Sequence, residues 1–347
     1  MSDTNYPEWK KIHNDALVID SHNDSIVAYI RRGNLSFFGG ERKVPWKGTI
    51  EQLRGTEGPR PGAANIQLNS KTMADGGIDV GFFAIDVTIP KKNCLAYALD
   101  GFGYFKDDIE TPGSEAVVIA KRCQDIELAK EKGVPAALLT IENADCTEGS
   151  LNVLRVLYEI GVRSIGFTHN VSSVAADGCM EARDGVGLTR FGVKLVQAMN
   201  KLGMLVDLAH ISPGGFYHAL DVTTKPVAFS HGNCRALCNH PRNLDDSQLK
   251  ALAQNGGVIG MSYVPFFIDE TSPTLEKLVD HIDHVAQVAG IDTVGLGGDF
   301  DGGGTLLKDA AEVPSITEGL IKRGYGEADV KKILGENTLR VLRAAIG

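Results

Sequence analysis

The sequence predicts a distorted (β/α)8 barrel, the TIM-barrel fold, with long loops that cover the C-terminal mouth. Two observations support this prediction. Eight short apolar runs alternate with helical patterns, and six of the runs end on His, Asp or Glu. Eight alternations are more typical of a closed barrel than of an open sheet. An open doubly wound sheet would place a glycine-rich turn after its first strand, where this chain has SHND.

The eight runs are rich in Val, Ile, Leu and Phe, as parallel strands buried on both faces are. They cover residues 16–24, 80–88, 136–143, 163–169, 204–211, 226–232, 257–264 and 293–299. Charged and imidazole side chains rarely follow buried strands, and the C-terminal ends of barrel strands meet at one rim. The pattern therefore predicts a metal-assisted active site at that rim.

Helical spacing of apolar residues predicts most of the connections between the strands. Helices are expected over 114–132, around 151–157, and over 191–202, 249–254, 274–289 and 327–346. Two segments lack this spacing. We expect residues 31–64 to cover the mouth of the barrel. The aromatic residues of 87–113 either line a pocket or form a small surface cluster.

Length and composition fit a single domain spanning residues 1–347, because one barrel with extra loops accommodates that length. The formal net charge of −9 argues against nucleic acid or an anionic membrane as the main partner. Six cysteines without a CxxC pair predict free thiols. With no secretory signal and no transmembrane run in the sequence, we expect a cytoplasmic protein.

Two of the runs end on carboxylates that suit a metal. His22 and Asp24 close the first run two residues apart, so both point the same way from a strand. A lone His-x-Asp also fits a surface turn, but its position after an apolar strand favours a metal. Glu142 closes the third run, and its two oxygens can bridge two cations; a glutamate at a helix N-terminus is the alternative.

Two further runs end on histidine. His210 and His231 each follow a strongly apolar strand, where an unpaired imidazole would be costly. A hydrogen-bonded core histidine explains either one alone, but two on neighbouring strands favour nitrogen ligands. With the carboxylates they predict two ions joined by Glu142, which can share a hydroxide at neutral pH. Mixed imidazole and carboxylate ligands suit Zn²⁺, with Mn²⁺, Fe²⁺ and Co²⁺ as competitors.

Four more residues are candidates for chemistry near the ions. Asp299 and Asp301 lie in GLGGDFDG, and an Asp there can move a proton to a leaving amine; a plain turn is the alternative, more so for Asp301. His169 closes SIGFTH as a further ligand or as a donor to an oxyanion. Arg242 can pair with a substrate carboxylate, although judged alone it fits a surface cation better.

Seven pieces of the chain resemble the membrane (renal-type) dipeptidase family, the M19 metallopeptidases of the amidohydrolase superfamily. They follow the family's order over nearly the whole chain. They are VIDSHND, GVRSIGFTHN, GLTRFGVKLVQAMNKLGMLVDLAHIS, KPVAFSH, HPRN, HIDHVAQVAGIDTVGLGGDFDG and GENTLRVL. The third and sixth pieces are specific signals, whereas His-x-Asp alone is not.

The resemblance implies two zinc ions and the hydrolysis of dipeptides. It assigns the zinc ligands by motif: His22, Asp24, Glu142, His210 and His231. It also implies that His169 polarises the scissile carbonyl, that Asp299 transfers the proton and that Arg242 holds the C-terminal carboxylate. A homodimer and acceptance of a D-residue at the C-terminal position are further implications.

The chain departs from the family pattern after the bridging glutamate, where Asn143 and Ala144 replace two glycines. A side chain there puts substrate preference in question more than ligation. Two alternatives therefore remain open. One is an amidohydrolase acting on N-acyl amino acids or on another small amide or ester. The other is a non-catalytic metal-binding protein.

Overall fold

The structure, a computed structural model, describes residues 7–32, 34–42, 66–88, 92–111 and 116–347. Eight parallel strands of this part of the chain close into a barrel. The first strand, Ile19–Asn23, pairs with both the second, Val80–Asp86, and the last, Val294–Leu296, while the second also pairs with Ala136–Glu142. The predicted (β/α)8 barrel is confirmed, and each predicted strand overlaps an observed one. The strands are β1 (Ile19–Asn23), β2 (Val80–Asp86), β3 (Val118–Ile119), β4 (Ala136–Glu142), β5 (Val162–Gly166), β6 (Leu205–Asp207), β7 (Ala228–Gly232), β8 (Val258–Met261) and β9 (Val294–Leu296).

Of the helices, one precedes the first strand, and the others lie between the strands and after the last one. They are α1 (Glu8–Asp15), α2 (Ser25–Arg31), α3 (Ser70–Asp75), α4 (Cys94–Ile109), α5 (Cys123–Lys132), α6 (Leu151–Glu159), α7 (Arg190–Leu202), α8 (Pro213–Val222), α9 (Asp246–Asn255), α10 (Pro265–Ile268), α11 (Leu275–Ala289), α12 (Pro314–Arg323), α13 (Glu327–Lys331) and α14 (Asn337–Ile346). A π-helical turn, Lys332–Glu336, joins the last two.

Local sequence explains where the helices begin and end. The Thr189 hydroxyl accepts a hydrogen bond from the amide of Gly192 at the start of α7, and Gly203 ends that helix at φ 78°. Asp245 and Gln248 form a reciprocal capping box at the start of α9. These signals keep the outer helices in register with the strands that they connect.

The prediction of one helix over 114–132 is wrong in its first half. Residues 118–119 form the short strand β3, which pairs with β4, and α5 begins only at Cys123. The β-branched pair Val118 and Ile119 suits an added edge strand better than a helix. The predicted start at Ser114 lies outside the described residues.

The segment 87–113 is not irregular, because it contains the 16-residue helix α4. Its aromatic residues are fully buried, and Phe105 stacks on Phe83 of β2 and meets Phe37 edge-on. These rings thus join the main core instead of a separate surface cluster. Glycines at 101 and 103 hid the helical pattern in the sequence. Most of the predicted cover, residues 43–64, lies outside the described residues.

The thiols and the hydropathy agree with the expectations from composition. All six cysteines fall within the described residues and are free thiols there. Burial raises the pKa of Cys123 to about 11, so this thiol stays protonated near neutral pH. Among the helices of the described ranges, none has the length and apolar character that a membrane span requires.

Candidate metal centre

The C-terminal ends of six barrel strands deliver the candidate side chains to one place. His22 lies in β1 and His231 in β7, while Glu142 is the last residue of β4. His169, His210 and Asp299 each follow a strand, namely β5, β6 and β9, by three residues. The parallel barrel therefore brings together residues that are separated by up to 277 positions in the sequence.

Glu142 is at the centre of this cluster. Its Oε1 lies 2.8 Å from Nε2 of His210, 3.6 Å from Nε2 of His231 and 3.9 Å from Nε2 of His22. The two ring nitrogens of His210 and His231 face each other at 2.9 Å. On the other side, Asp24 Oδ2 and Asp299 Oδ1 each lie 3.9 Å from Nε2 of His22. Imidazole nitrogens and carboxylate oxygens thus surround a common space from several sides.

Three groups of ligand atoms within this cluster have the spacing that a metal ion requires, with all atoms of a group within 4.8 Å. The groups are His22, Glu142 and His231; Glu142, His169 and His210; and His22, Asp24 and Asp299. Glu142 belongs to two of them, as a bridging carboxylate would. These groups differ from the expected pairing of His210 with His231, because His231 groups with His22 instead. His210 groups with His169, and the two rings stack at 4.2 Å.

The buried polar atoms also fit a metal. Nε2 of His22 and Oε1 of Glu142 are buried, and neither has a hydrogen-bond partner among the described residues. Leaving such atoms unsatisfied costs about 1–3 kcal/mol each unless an ion or ligand meets them. Gly302 keeps the space open, because a Cβ there would lie 2.1 Å from both Asp24 Oδ2 and Asp299 Oδ1. Nitrogen and oxygen donors in this mixture suit Zn²⁺ and similar divalent ions.

Backbone strain is concentrated at this rim. His210 has φ 66° and Asp299 has φ 57°, both in the left-handed region that L-residues seldom adopt. Such conformations cost of order 1 kcal/mol or more and persist where the surroundings enforce them. Here they turn the side chains inward immediately after a strand has ended.

The electrostatics separate the histidines into two kinds. Burial lowers the pKa of His22, but the nearby carboxylates of Glu142 and Asp24 outweigh it and raise that pKa to about 10. Burial holds the pKa of His210 and His231 well below the ordinary value, reinforced by the charge of Arg242 at His210 and by those of His22 and Arg242 at His231. These two rings are therefore neutral, which is the form that binds a metal.

Two partners of the candidate ligand histidines were missed in the sequence. Asn170 Oδ1 lies 2.9 Å from Nδ1 of His210, and the hydroxyl of Ser230 lies 3.0 Å from Nδ1 of His231. Each contact engages the ring nitrogen that faces away from Glu142 and so leaves Nε2 for an ion. The signal in the sequence is adjacency, since each partner is next to a predicted site histidine.

Arg242 is not a surface cation. It is 2% exposed, and its Nη2 donates to the backbone oxygen of His231 at 2.9 Å. The rings of Phe229 and Phe267 flank the guanidinium at 5.7 and 5.5 Å. Its Nε and Nη1 are buried and find no acceptor in the part of the chain that the structure describes. Two guanidinium nitrogens thus remain available to a ligand beside the candidate metal site.

Asn143 adopts φ 85° and ψ 123°, a backbone conformation open mainly to glycine. The structure thus gives a physical reason why glycine would suit the position after Glu142. The side chain of Asn143 caps the next turn, because its Oδ1 accepts from the amide of Asp145 at 2.9 Å. It is directed along the rim towards Asp145.

Asp301 has a different environment from Asp299. Its buried carboxylate accepts a hydrogen bond from the hydroxyl of Ser25 at 2.7 Å and pairs with Arg32 at 2.8 Å. It also accepts from the amide of Gln67. Asp301 therefore connects its own turn to the segments of Ser25, Arg32 and Gln67 through hydrogen bonds and an ion pair. It belongs to none of the three ligand groups.

A parallel barrel whose strand ends collect imidazoles and carboxylates defines the class of metal-dependent (β/α)8 hydrolases. Residues 7–346 match the family model described as membrane dipeptidase (peptidase family M19). The chain belongs to this family of metallopeptidases, which confirms the resemblance seen in the motifs.

Individual relatives agree with this assignment. The dipeptidase verJ of Clonostachys rogersoniana is 36% identical over 233 residues, which are 66% of this chain and 60% of that relative. An amidohydrolase from Pseudomonas aeruginosa has a TM-score of 0.76 at 25% identity, covering 98% of this chain and 100% of that one. A metallopeptidase from Rhodobacter sphaeroides, liganded with a phosphinate mimic of the dipeptide L-Ala-D-Ala, has a TM-score of 0.79 at 22% identity, covering 95% and 100%. At that identity the last comparison bears on the fold alone.

Proposed function

We propose that this protein is a zinc-dependent dipeptidase. The observation that carries the proposal is the position of Arg242. Its two unbonded donors are buried and its third nitrogen is hydrogen-bonded to the backbone of a metal-ligand candidate, His231. A substrate carboxylate held there lies next to the metal cluster, so the neighbouring peptide bond is within reach of the ions. Small peptides with a free C-terminal carboxylate fit this arrangement better than long chains do.

The proposed site holds two zinc ions. His22 and Asp24 would hold one ion, His210 and His231 would hold the other, and Glu142 would be shared by both. The convergence of the three Nε2 atoms on Glu142 Oε1 supports the bridging role. His231 also groups with His22 and Glu142, and His169 groups with His210 and Glu142. Glu142 is thus the residue that these two groups share.

When bound, zinc makes a hydroxide nucleophile available at neutral pH and polarises a carbonyl group. The residues of the chain supply the remaining steps. Arg242 orients the substrate through its carboxylate. His169 donates a hydrogen bond to the scissile carbonyl oxygen as negative charge develops there. Asp299 accepts the proton of the nucleophile and delivers it to the departing amine, which leaves as a neutral group.

The substrate panel that tests the proposal contains L,L- and L,D-dipeptides, a tripeptide, a dipeptide amide and N-acyl amino acids. Metal content of the purified protein is measured alongside. We expect two zinc ions per chain, hydrolysis of dipeptides including those with a D-residue at the C-terminal position, and little hydrolysis of the tripeptide. Preference for N-acyl amino acids would instead indicate the alternative amidohydrolase activity, and a metal-loaded protein inactive on the whole panel would indicate a metal-binding role.

An Arg242→Met variant tests the carboxylate contact directly. Loss of a charged hydrogen-bonded contact costs about 1.5–3 kcal/mol, so kcat/KM for a dipeptide should fall by roughly 10- to 200-fold. The matched control is the corresponding dipeptide amide, which lacks the carboxylate and should be affected much less. Equal losses on the two substrates would show that Arg242 does not read the carboxylate.

We also propose a homodimer, a single domain over residues 1–347 and a cytoplasmic location. The family resemblance supports the dimer, while the free thiols support a reducing compartment. Sedimentation of the purified protein and fractionation of cells test the first and the last proposal. Limited proteolysis tests the second, since two domains would release separate stable fragments.

A further inference from the structure

The strands of the barrel are paired unevenly around its circumference. Within the described residues, six of the eight seams between barrel strands have at least three residue pairs, although three of the six contain a register shift. Within the named strands, the other two seams have one pair each: Asp20 with Leu296 between β1 and β9, and Asp207 with Ala228 between β6 and β7. An isolated bridge between Asn23 and Phe300 lies further along the first of these seams. Both single pairs contain an aspartate, and both seams run between strands that carry candidate site residues.

At the seam between β6 and β7, the carboxylate of Asp207 replaces the missing strand pairing. Its Oδ1 accepts hydrogen bonds from two backbone amides, those of Ala209 and Ser230, each at 3.0 Å. These amides immediately precede His210 and His231. One oxygen atom therefore fixes the backbone next to both candidate ligands, at the point where His210 turns to φ 66°.

The seam between β1 and β9 has the same construction. Asp20 Oδ2 accepts from the amide of Gly298 at 2.8 Å, and its Oδ1 accepts from the amide of His22 at 3.3 Å. Gly298 immediately precedes Asp299. Beyond the carboxylate the two chains meet again, where the amide of Asp299 donates to the oxygen of His22 at 3.0 Å. Asp20 thus spans the gap between the regular pairing and the rim.

We propose that Asp20 and Asp207 are positioning residues, each of which holds the backbones of two strand ends so that their side chains converge on the metal site. Asp207 sets the separation of His210 from His231, and Asp20 sets that of His22 from Asp299. Short strand pairing alone leaves these ends free to shift, and a shift well below 1 Å already weakens a metal site. The inference rests on the proposed metal function of these residues.

The opposite rim of the barrel provides a matched control. Asp79 Oδ2 accepts hydrogen bonds from the amide of Val18 and from Nζ of Lys130, both at 2.9 Å. It therefore joins the beginnings of β1 and β2 through the same kind of contact, but far from the candidate ligands. Loss of this carboxylate should lower stability without changing the affinity for metal.

The test compares the full-length Asp207→Ala, Asp207→Asn and Asp79→Ala proteins after removal of metal. Zn²⁺ affinity is measured by competition with a chromophoric chelator. We expect Asp207→Ala to bind Zn²⁺ about 10- to 100-fold more weakly, the range typical of partners that orient ligands. Asp207→Asn keeps an oxygen acceptor and should restore affinity to within a few-fold, and Asp79→Ala should bind as the wild type does.

Hydrogen exchange gives a second readout that needs no metal. Peptides covering 205–211 and 228–232 should exchange faster in Asp207→Ala, while those covering 19–24 and 297–301 stay unchanged. Asp20→Ala should show the reverse. If Asp207→Ala does not fold, Asp207→Glu carries the same expectation, because its longer side chain misplaces the oxygen.

Wild-type Zn²⁺ affinity in Asp207→Ala, or an equal loss in Asp79→Ala, would overturn the inference. The proposed function fails differently, through a wild-type protein that hydrolyses no dipeptide or binds a single ion. In that case the positioning role is still tested by the Zn²⁺ affinity of the variants and by the hydrogen exchange of the peptides next to each aspartate.

Discussion

The two rims of the barrel use the same residue types in opposite ways. At the N-terminal rim, both ring nitrogens of His13 have partners, Thr317 Oγ1 at 2.7 Å and the oxygen of Gly76 at 2.9 Å. At the C-terminal rim, Nε2 of His22 is buried and faces carboxylates without a hydrogen bond to any described residue. Both ring nitrogens of His13 are therefore hydrogen-bonded within the fold, whereas Nε2 of His22 lacks a hydrogen-bond partner among the described residues.

The difference indicates that the N-terminal rim stabilises the fold and that the C-terminal rim keeps polar groups available for a ligand. A buried polar group that is satisfied adds stability, and one that is not costs stability until a ligand arrives. Left-handed backbone at His210 and Asp299 adds to that cost at the C-terminal rim. Substitutions at the two rims should therefore separate activity from stability.

The largest expected effect is the loss of the bridging carboxylate. Glu142→Gln should lower kcat/KM by about a thousandfold or more, because a bound ion contributes several kcal/mol of transition-state stabilisation. Metal content measured by mass spectrometry should fall as well. Asp86→Asn is the control, since Asp86 pairs with Glu142 across β2 and β4 but belongs to no ligand group. Full metal content and activity in Glu142→Gln would show that Glu142 does not have the bridging role.

Asp299→Asn should lower kcat by about 10²–10⁴-fold with metal content unchanged, the range for loss of a general acid–base. The measurement pairs steady-state kinetics with metal analysis of the same sample. Near-normal turnover would refute the proton-transfer role. Loss of metal would instead identify Asp299 as a ligand, consistent with its grouping with His22 and Asp24.

At the N-terminal rim, His13→Ala should lower the free energy of unfolding by about 1–3 kcal/mol and leave kcat/KM unchanged. Burial lowers the pKa of His13 below the value of 6.5 that it regains on unfolding. Its contribution is therefore complete above pH 6.5 and is lost as the pH falls below that value, because only the unfolded state takes up the proton. Urea unfolding from pH 5 to 8 should show this dependence in the wild type and a flatter profile in His13→Ala.

The smallest effect is expected at Asn143. Asn143→Ala keeps the strained φ and loses the cap on Asp145, so it should destabilise the protein by about 1 kcal/mol. Asn143→Gly loses the same cap but relieves the strain, so its free energy of unfolding should lie above that of Asn143→Ala. Urea unfolding of both variants measures the difference. Equal stabilities would show that the backbone at this position is not strained.

The sequence predicted much of the fold and of the candidate site, because the relevant signals lie within short stretches of the chain. Strands buried on both faces are continuous apolar runs, and a His or Asp directly after such a run is visible without knowing the fold. The first half of the helix predicted over 114–132 was wrong, because an edge strand of two residues, Val118 and Ile119, leaves too little pattern to detect. The helix α4 was missed because two glycines interrupt its apolar spacing.

The sequence by itself determined the eight strands, their parallel arrangement and the residue types at their ends. Only the tertiary structure decided that Arg242 is buried against His231, and that His231 groups with His22 across the barrel. It also decided that Asp20 and Asp207 join strand ends where regular pairing is shortest. The physical reason is that burial and hydrogen bonding between distant strands depend on barrel closure and register, which local patterns do not encode.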